Sequence, residues 1–337
     1  MIIKNKEMPT SLEKLQALYK RTPFTHHKYK LIKENLAKQS AGYKGELSLA
    51  YPLSLLSDKK YYIFHDIRLL AGIHNFQVDA LLLSRKFIVL LEVKNITGTL
   101  YFDQYFHQLI RTQEDKEEAF PDPLTQISRH TFLMKKWLKS QGFPDIPIES
   151  FVVISSPYTL IKTSPENQLI SRKILRSDYI PIKFIQLDLH YKTDALSQKE
   201  LEKLSGIILK NDNPGTIDIL KQYGVARGEL IKGVECPLCK RMPMDRTHGN
   251  WQCPACGIKK PDLHLSALKD YSLLISSSIT SREARDFLLF SSKPLATRLL
   301  RPFPVLAATK ERYIILTLKH TERKNFWKNK HFSECWR

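Results

Sequence analysis

The chain has 337 residues, 42% of them hydrophobic, more than one small core usually organises and enough for two or three folded units. Lysine and arginine number 53 against 34 aspartates and glutamates, a formal net charge of +19. That excess calls for a polyanionic partner: nucleic acid first, because cations neutralise phosphates while interleaved aromatic rings stack on bases, with a membrane surface or the ribosome as alternatives. Residues 1–20 lack the continuous apolar core of a signal peptide, and the most apolar run, Ala80 to Val93, is broken by Ser84, Arg85, Lys86 and Glu92, so neither secretion nor a membrane span is expected and the compartment reads as the cytoplasm.

From Leu12 to Leu56 the apolar residues recur mostly at three- and four-residue steps (Leu12, Leu15, Leu18, Tyr19, then Leu31, Ile32, Leu36, Leu47, Leu49), which predicts helices. Pro23 separates the first helix from the next, Gly42 interrupts or opens the helix carrying Glu46, and Pro52, lacking an amide donor, predicts a kink or an early stop. Tyr61 to Ile67 and Val78 to Val93 turn to β-branched and long aliphatic residues, the start of a sheet. A polar, charged stretch around Arg111 to Glu118 precedes a helical pattern through Ile127, Phe132, Leu133, Trp137 and Leu138; Phe151 to Ser155 reads as a buried strand and Asp178 to Leu187 as a further one. Strands alternating with helices predict an α/β class, a sheet with helical flanks.

Ser197 and Glu200 have capping-box spacing ahead of a helix reaching Leu209, and Gly224, Gly228 and Gly233 mark a turn-rich passage after the first domain closes near Lys221. Farther on, Thr280 and Glu283 repeat the capping-box spacing, Leu295 to Leu300 suits a second helix and Tyr313 to Leu318 a strand, the order of a helix-turn-helix with a wing. The expected organisation is a helical region at 1–41, an α/β domain at 42–221, a cysteine module at 232–262 and a basic, helical C-terminal region at 263–337.

The segment Gln77-Val78-Asp79-Ala80-Leu81-Leu82-Leu83, a turn at Ser84-Arg85-Lys86, and Phe87-Ile88-Val89-Leu90-Leu91-Glu92-Val93-Lys94 reads as a β-hairpin. A turn centred between Arg85 and Lys86 sets Leu81 opposite Leu90, Asp79 opposite Glu92 and Gln77 opposite Lys94. Like charges facing across a sheet disfavour folding, so two carboxylates in an otherwise apolar hairpin require a compensating cation or a shared proton. Period-two alternation puts Lys94 on the face of Glu92. Carboxylates are hard oxygen ligands suited to Mg²⁺ or Mn²⁺, which polarise a phosphodiester and acidify an attacking water, and Lys94 can steady that water or offset phosphorane charge. The plain alternative is a set of strand-end polar residues around an ion pair. His65, His74 and His107 read as structural or exposed histidines.

Asp79 followed by a strand, a turn and Glu92-Val93-Lys94 resembles the signature of the PD-(D/E)xK nuclease superfamily. More narrowly, the chain resembles the NERD, or nuclease-related domain, family. Gly42-Tyr43-Lys44-Gly45-Glu46 is similar to its N-terminal Gly-x-x-Gly-Glu helix motif, Gln77-Val78-Asp79 to its strand, and Glu92-Val93-Lys94-Asn95 with Gly98 to its central motif. Asp122-Pro123-Leu124-Thr125-Gln126 is similar to its Asn-Pro-x-x-Gln element, with Asp122 in place of Asn, and the likeness runs from Gly42 to Ser155. The resemblance implies a restriction-endonuclease-like mixed sheet flanked by helices. It further implies that Asp79, Glu92 and the Val93 carbonyl hold Mg²⁺ or Mn²⁺, that Lys94 assists the water, that Glu46 adds an acidic group from its helix and that Gln126 lines the site. For Glu46 the plain reading is a solvated helix residue, and for Gln126 a helix-surface amide. The implied activity is a metal-dependent phosphodiesterase acting on DNA; the alternative is a nucleic-acid-binding protein that keeps the fold without turnover.

Cys236-Pro237-Leu238-Cys239 and Cys253-Pro254-Ala255-Cys256 are two Cys-x-x-Cys knuckles, and four thiolates kept reduced predict one tetrahedral Zn²⁺. Trp251 before the second knuckle and Gly257 after it resemble a zinc ribbon, and with four sulfurs in place His248 and His264 are not needed as ligands. Lys240, Arg241, Arg246, Lys259 and Lys260 nearby suit phosphate contacts or a solvated basic face. Arg323 to Phe332 interleaves cations with aromatic rings, suited to single-stranded nucleic acid or to packing on the domain above, and Cys335 reads as incidental.

Overall fold

The computed structural model describes residues 1–57, 59–164, 168–306 and 313–316. Contacts divide the chain into two units that interleave in sequence: Met1–Met8 with Ala37–Thr216, and Pro9–Leu36 with the residues from Ile217 onward. The segment 1–41 is therefore not one helical region. β1 (Ile2–Lys4) pairs in the main sheet of the first unit, whereas α1 (Thr10–Arg21) and the first turns of α2 (Tyr29–Leu47) belong to the second.

In the first unit α3 (Ala50–Ser54) leads to β2 (Tyr62–Ala71), β3 (His74–Leu83) and β4 (Ile88–Lys94). Next come β5 (Gly98–Asp103), β6 (Gln108–Gln113), β7 (Lys116–Pro121), α4 (Pro123–Ser140), β8 (Ile148–Ile154) and β9 (Thr159–Thr163), and then α5 (Gln168–Lys173), β10 (Ile174–Arg176), α6 (Ile180–His190) and α7 (Gln198–Asn211). The main sheet is mixed, in the order β1-β2-β3-β4-β8-β10, with β2, β3 and β4 antiparallel and β1–β2, β4–β8 and β8–β10 parallel. A second sheet has the order β7-β6-β5-β9.

Both faces of the main sheet are covered. Leu81, Leu83, Ile88 and Leu90 pack with Leu133, Met134 and Trp137 of α4 and Leu204 of α7. Ala80, Leu82, Val89 and Leu91 pack with Leu53 of α3 and Ile180, Phe184 and Leu187 of α6. Burial on two sides explains why the hairpin is apolar almost throughout rather than alternating.

The architecture is thus mixed α/β, a sheet core flanked by helices, as expected, but several elements differ. The stretch at Asp178 to Leu187 is not a strand: Ile180, Phe184 and Leu187 form the buried face of α6, and Pro181 sits in its first turn, where a missing amide does no harm. α2 runs unbroken through Gly42. Pro52 lies in the separate short helix α3, which begins after α2 has ended at Leu47. The charged stretch around Arg111 to Glu118 is the β6–β7 hairpin, turning through Glu114 and Asp115 at φ 50° and 59°, the mirror-image turn that suits strand twist. The capping boxes Ser197/Glu200 and Thr280/Glu283 form as spaced.

In the second unit Leu15, Leu18 and Ile32 share a buried cluster with Tyr223 of α8 (Ile219–Tyr223). A ribbon of β11 (Asp245–Arg246), β12 (Trp251–Gln252) and β13 (Lys259–Lys260) precedes α9 (His264–Leu274), β14 (Ser278–Ile279), α10 (Ser281–Leu288), α11 (Lys293–Leu300), β15 (Val305–Leu306) and β16 (Tyr313–Ile315). β16 pairs antiparallel with both β14 and β15, beside the helix pair α10–α11. α10 and α11 thus follow β14 and precede β15 and β16 in the chain. Cys236, Trp251 and Cys253 share one core with Leu268, Tyr271, Phe287 and Leu300, so the expected boundary at 262 separates residues that are packed together. Leu318, the segment Arg323 to Phe332 and Cys335 lie outside the described residues. Among the described residues no helix is long and apolar enough to cross a membrane.

Candidate functional site

Ser84 closes the β3–β4 turn. Its Oγ accepts from the amides of Lys86 and Phe87 at 3.2 and 3.0 Å, and its own amide donates to the Phe87 carbonyl at 3.0 Å. The ladder then pairs Leu81 with Leu90 and Ala80 with Leu91, the register that a turn centred between Arg85 and Lys86 demands, and it ends there. At the next position the Asp79 carboxylate accepts the Val93 amide at 2.8 Å, so a side chain takes over where a backbone acceptor would stand. A strand residue projects its N–H and C=O to the same edge, so the Val93 carbonyl is directed toward β3 as well.

Glu92 is 6% exposed. Lys94 Nζ donates to Glu92 Oε1 at 2.8 Å and to Gln126 Oε1 at 3.1 Å, which places all three together, and His130 Nδ1 lies 3.9 Å from Glu92 Oε2. Asp79, Glu92, Gln126 and His130 line one cleft of about 350 Å³ with Gln77 and Arg68. The helix that supplies Gln126 is started by Asp122, whose carboxylate accepts from the amides of Leu124 and Thr125 at 3.0 Å each, an N-cap ahead of a proline. His130 follows Gln126 by four residues and so shares its face.

Glu46 comes from α2, and Gly45 is what lets that helix approach. A Cβ at Gly45 would lie 2.4 Å from Asn95 Cβ and 2.8 Å from Ser155 Oγ. Asn95 just beyond β4 donates its side-chain amide to the Ala41 carbonyl at 2.8 Å, holding the same helix from the other partner. Gly98 is required in a different way, at φ +101° with the Thr112 carbonyl 2.7 Å from where a Cβ would be. Glu46, Asp66 and Asp79 bring carboxylate oxygens within 4.8 Å of one another, and the Lys6 ammonium ion-pairs with both Glu46 and Asp66.

Residues 41–155 match the model of the NERD family, the nuclease-related domain. The chain carries a nuclease-related domain. No curated protein and no solved structure matches the chain. The matched span of the nuclease-related domain begins at Ala41, which Asn95 clasps, and ends at Ser155, which lies against Gly45. It contains Glu46, Asp79, Glu92, Val93, Lys94 and Gln126, and it excludes Lys6 and the four paired cysteines.

Four residues of the nuclease-related site escaped the sequence reading: Asp66, Lys6, His130 and Arg68. Asp66 stands between the pairs His65–Ala80 and Ile67–Val78, across from Asp79, at φ 52°, a left-handed conformation that a short polar side chain tolerates. The signal was available, because the two-residue turn at Gly72 and Ile73 fixes this register. His130 had a signal too, its four-residue step from Gln126. Lys6 and Arg68 had none that local pattern could carry.

Electrostatically the centre of the nuclease-related domain lacks positive charge. Burial, then Glu92 and then Glu46, push the Asp79 carboxyl well above its usual range. Burial likewise raises Glu46, partly opposed by Lys6. Burial works against the Lys6 ammonium, yet Asp66 and Glu46 outweigh it and the Lys6 value rises. Burial pushes His130 down, which keeps the imidazole neutral. Oxygen donors crowded in this way fit a hard divalent cation.

In the second unit the four cysteine sulfurs lie within 4.8 Å of one another, with Cys236–Cys256 and Cys239–Cys253 at 3.5 Å. Four sulfurs this close can gather into a thiolate tetrahedron around one ion, whose edges are about 3.8 Å for metal–sulfur bonds of about 2.3 Å, and all four thiols are free of disulfides. The two knuckles are built alike. The amides of Lys240 and Gly257 donate to the carbonyls of Cys236 and Cys253 at 3.0 Å, both donors at positive φ. Within this cluster the shifts oppose one another: hydrogen bonds from the Cys256 amide, and then from Ala255, help bring the Cys253 thiol down to about 6, whereas Cys256 is pushed up to about 12 and Cys239 is raised. The arrangement is compatible with zinc.

Proposed function

We propose that the nuclease-related domain is a Mg²⁺- or Mn²⁺-dependent phosphodiesterase acting on DNA. The observation that carries this reading is the convergence of Asp79, Glu92 and Gln126 on one cleft, with Lys94 Nζ bonded to two of its lining groups, 2.8 Å from Glu92 Oε1 and 3.1 Å from Gln126 Oε1. Asp79, Glu92 and the Val93 carbonyl are the oxygen donors that would hold the ion. When bound, such an ion polarises the phosphodiester and lowers the pKa of an attacking water. Gln126 and Glu92 keep the Lys94 ammonium at the cleft, where it orients water and offsets charge developing on phosphate oxygens. Glu46 adds acidic character from α2, neutral His130 backs Glu92, and Arg68, which lines the same cleft, is placed to meet a phosphate.

Zinc on Cys236, Cys239, Cys253 and Cys256 would complete the core of the second unit, and thiolates of this kind suit a cytoplasmic setting. Arg246, stacked 5.1 Å from the Trp251 ring and electrostatically coupled to Arg298, joins the exposed Lys259, Lys260 and Lys293 in a cationic surface suited to a DNA backbone. Nucleic-acid binding without cleavage is the second reading, and one observation favours it: Lys6 already neutralises Glu46 and Asp66. Plasmid and linear single-stranded substrates incubated with Mg²⁺ or Mn²⁺ beside Asp79→Ala and Lys94→Ala variants separate the two. Metal-dependent cleavage lost in both variants supports the enzyme; binding without cleavage in the wild type supports the second reading.

A further inference from the structure

Lys6 lies outside the span matched by the family and has no part in the chemistry above. Its position is nonetheless heavily determined. The Met1 ammonium donates to the Tyr61 carbonyl at 2.6 Å, and Lys4 Nζ donates to the Asp66 carbonyl and to Asp212 at 2.5 Å each, so β1 is anchored along β2 before the chain reaches Lys6. The Lys6 side chain is only 6% exposed, paired with Glu46 and Asp66, and its Nζ lies 5.5 Å from the centroid of the Tyr43 ring. An acidic pocket of cation size is thus filled by a cation that belongs to the chain.

Four carboxylates, Glu46, Asp66, Asp79 and Glu92, are in direct ion pairs with two ammonium groups, Lys6 and Lys94, or adjoin those that are. Phosphodiesterases that use two ions hold them about 3.5–4 Å apart in one cluster of ligands. Asp79 is the carboxylate here that borders Glu92 on one side and the Glu46–Asp66 pair on the other, so the place of a second ion is where the Lys6 ammonium sits. We propose that Lys6 is a positioning residue, a resident cation that makes this a one-ion centre. The inference rests on the metal-dependent reading above. A mere anchor for the N-terminus, a task that Met1 and Lys4 already perform, would leave the number of bound ions unchanged.

The full chain, with its cysteine site loaded with zinc, is titrated with Mn²⁺, and bound ions are counted by electron paramagnetic resonance of the free ion. Wild type and Lys6→Arg are expected to bind one Mn²⁺, Lys6→Met two, and Lys6→Met combined with Glu46→Gln one again. One ion in Lys6→Met overturns the proposal and leaves the metal-dependent reading intact, as does a double variant that keeps two. Two ions in the wild type also overturn it, and no ion in any variant removes both readings. A second measurement needs no variant: acetic anhydride labelling of Lys6 in the wild type, followed by mass spectrometry, is expected to stay equally slow at saturating Mn²⁺. Labelling that accelerates with Mn²⁺ means that an ion displaces the ammonium, and the proposal fails.

Discussion

Asp79 stands where the β3–β4 ladder gives out and accepts the Val93 amide in place of a backbone partner. Burial and the neighbouring Glu92 and Glu46 hold its carboxyl above the usual range, so charging it opposes folding. Stability from this group is fully present below the ordinary carboxylate value and is lost as pH rises through the raised one. Asp79→Asn, which can still accept the Val93 amide, is therefore expected to be more stable than wild type at pH 7 without divalent ion, by on the order of 1 kcal/mol. The advantage should vanish in acid, and a rise in melting temperature with Mn²⁺, expected of the wild type on the proposed function, should be absent in the variant. Thermal melts across pH with and without Mn²⁺ decide it, and a variant less stable at pH 7 would contradict the account. On the proposed mechanism Gln126 acts through Lys94, so Gln126→Ala is expected to lower kcat by about tenfold while leaving Mn²⁺ binding in place; cleavage rates beside a metal titration check both halves. At this scale the β3–β4 register was legible, because a short hairpin and its turn dictate which strand positions align. Asp66 lies outside that hairpin and meets Asp79 only through the separate β2–β3 register.

Among the elements, α2 shows how two glycines of one motif do different work. At Gly45 a methyl group would collide with Asn95 and Ser155, whereas at Gly42 nothing lies within 4 Å of the added Cβ. Gly45→Ala should force α2 away from the end of β4 and destabilise by about 2 kcal/mol. Gly42→Ala, in an open helical position, should stabilise by about 0.5–1 kcal/mol. Urea denaturation of the two variants gives opposite signs if the packing is as described. The cap of α4 is a third test: Asp122→Ala removes the acceptor for two amides and should cost about 1 kcal/mol by the same measurement. Capping boxes and the α4 stripe were legible because their signals span one or two turns. α6 was not, since a short apolar run around Ile180 to Leu187 satisfies either period, and only its cover over Leu82 and Val89 decides for a helix.

For the molecule as a whole, Cys236 and Cys253 are buried in the same core as Phe287, Leu288 and Leu300. On the proposed zinc site, stripping the four thiolates of their ion is therefore expected to loosen α9, α10 and α11 together rather than the ribbon alone. The first unit has its own cores and no cysteine in them. Hydrogen exchange after treatment with a zinc chelator is expected to rise across 264–300 and to stay unchanged in β2, β3 and β4. A rise confined to 236–260 would show the two segments to be independent.

Sequence by itself determined the α/β class, the hairpin turn that sets Leu81 opposite Leu90, the motif span from Gly42 to Ser155 that lies inside the family match, and the two cysteine pairs. All of these depend on turns, periods and spacings within a few tens of residues, where chain connectivity leaves few alternatives. Only the tertiary structure decided that β1 joins the sheet, that α1 packs with the second unit, and that Lys6, Glu46 and Asp66 converge beside Asp79. Those meetings join distant segments, 249 residues apart for Arg21 and Asp270, and their geometry is set by how sheet and helices bury one another, which no local pattern records.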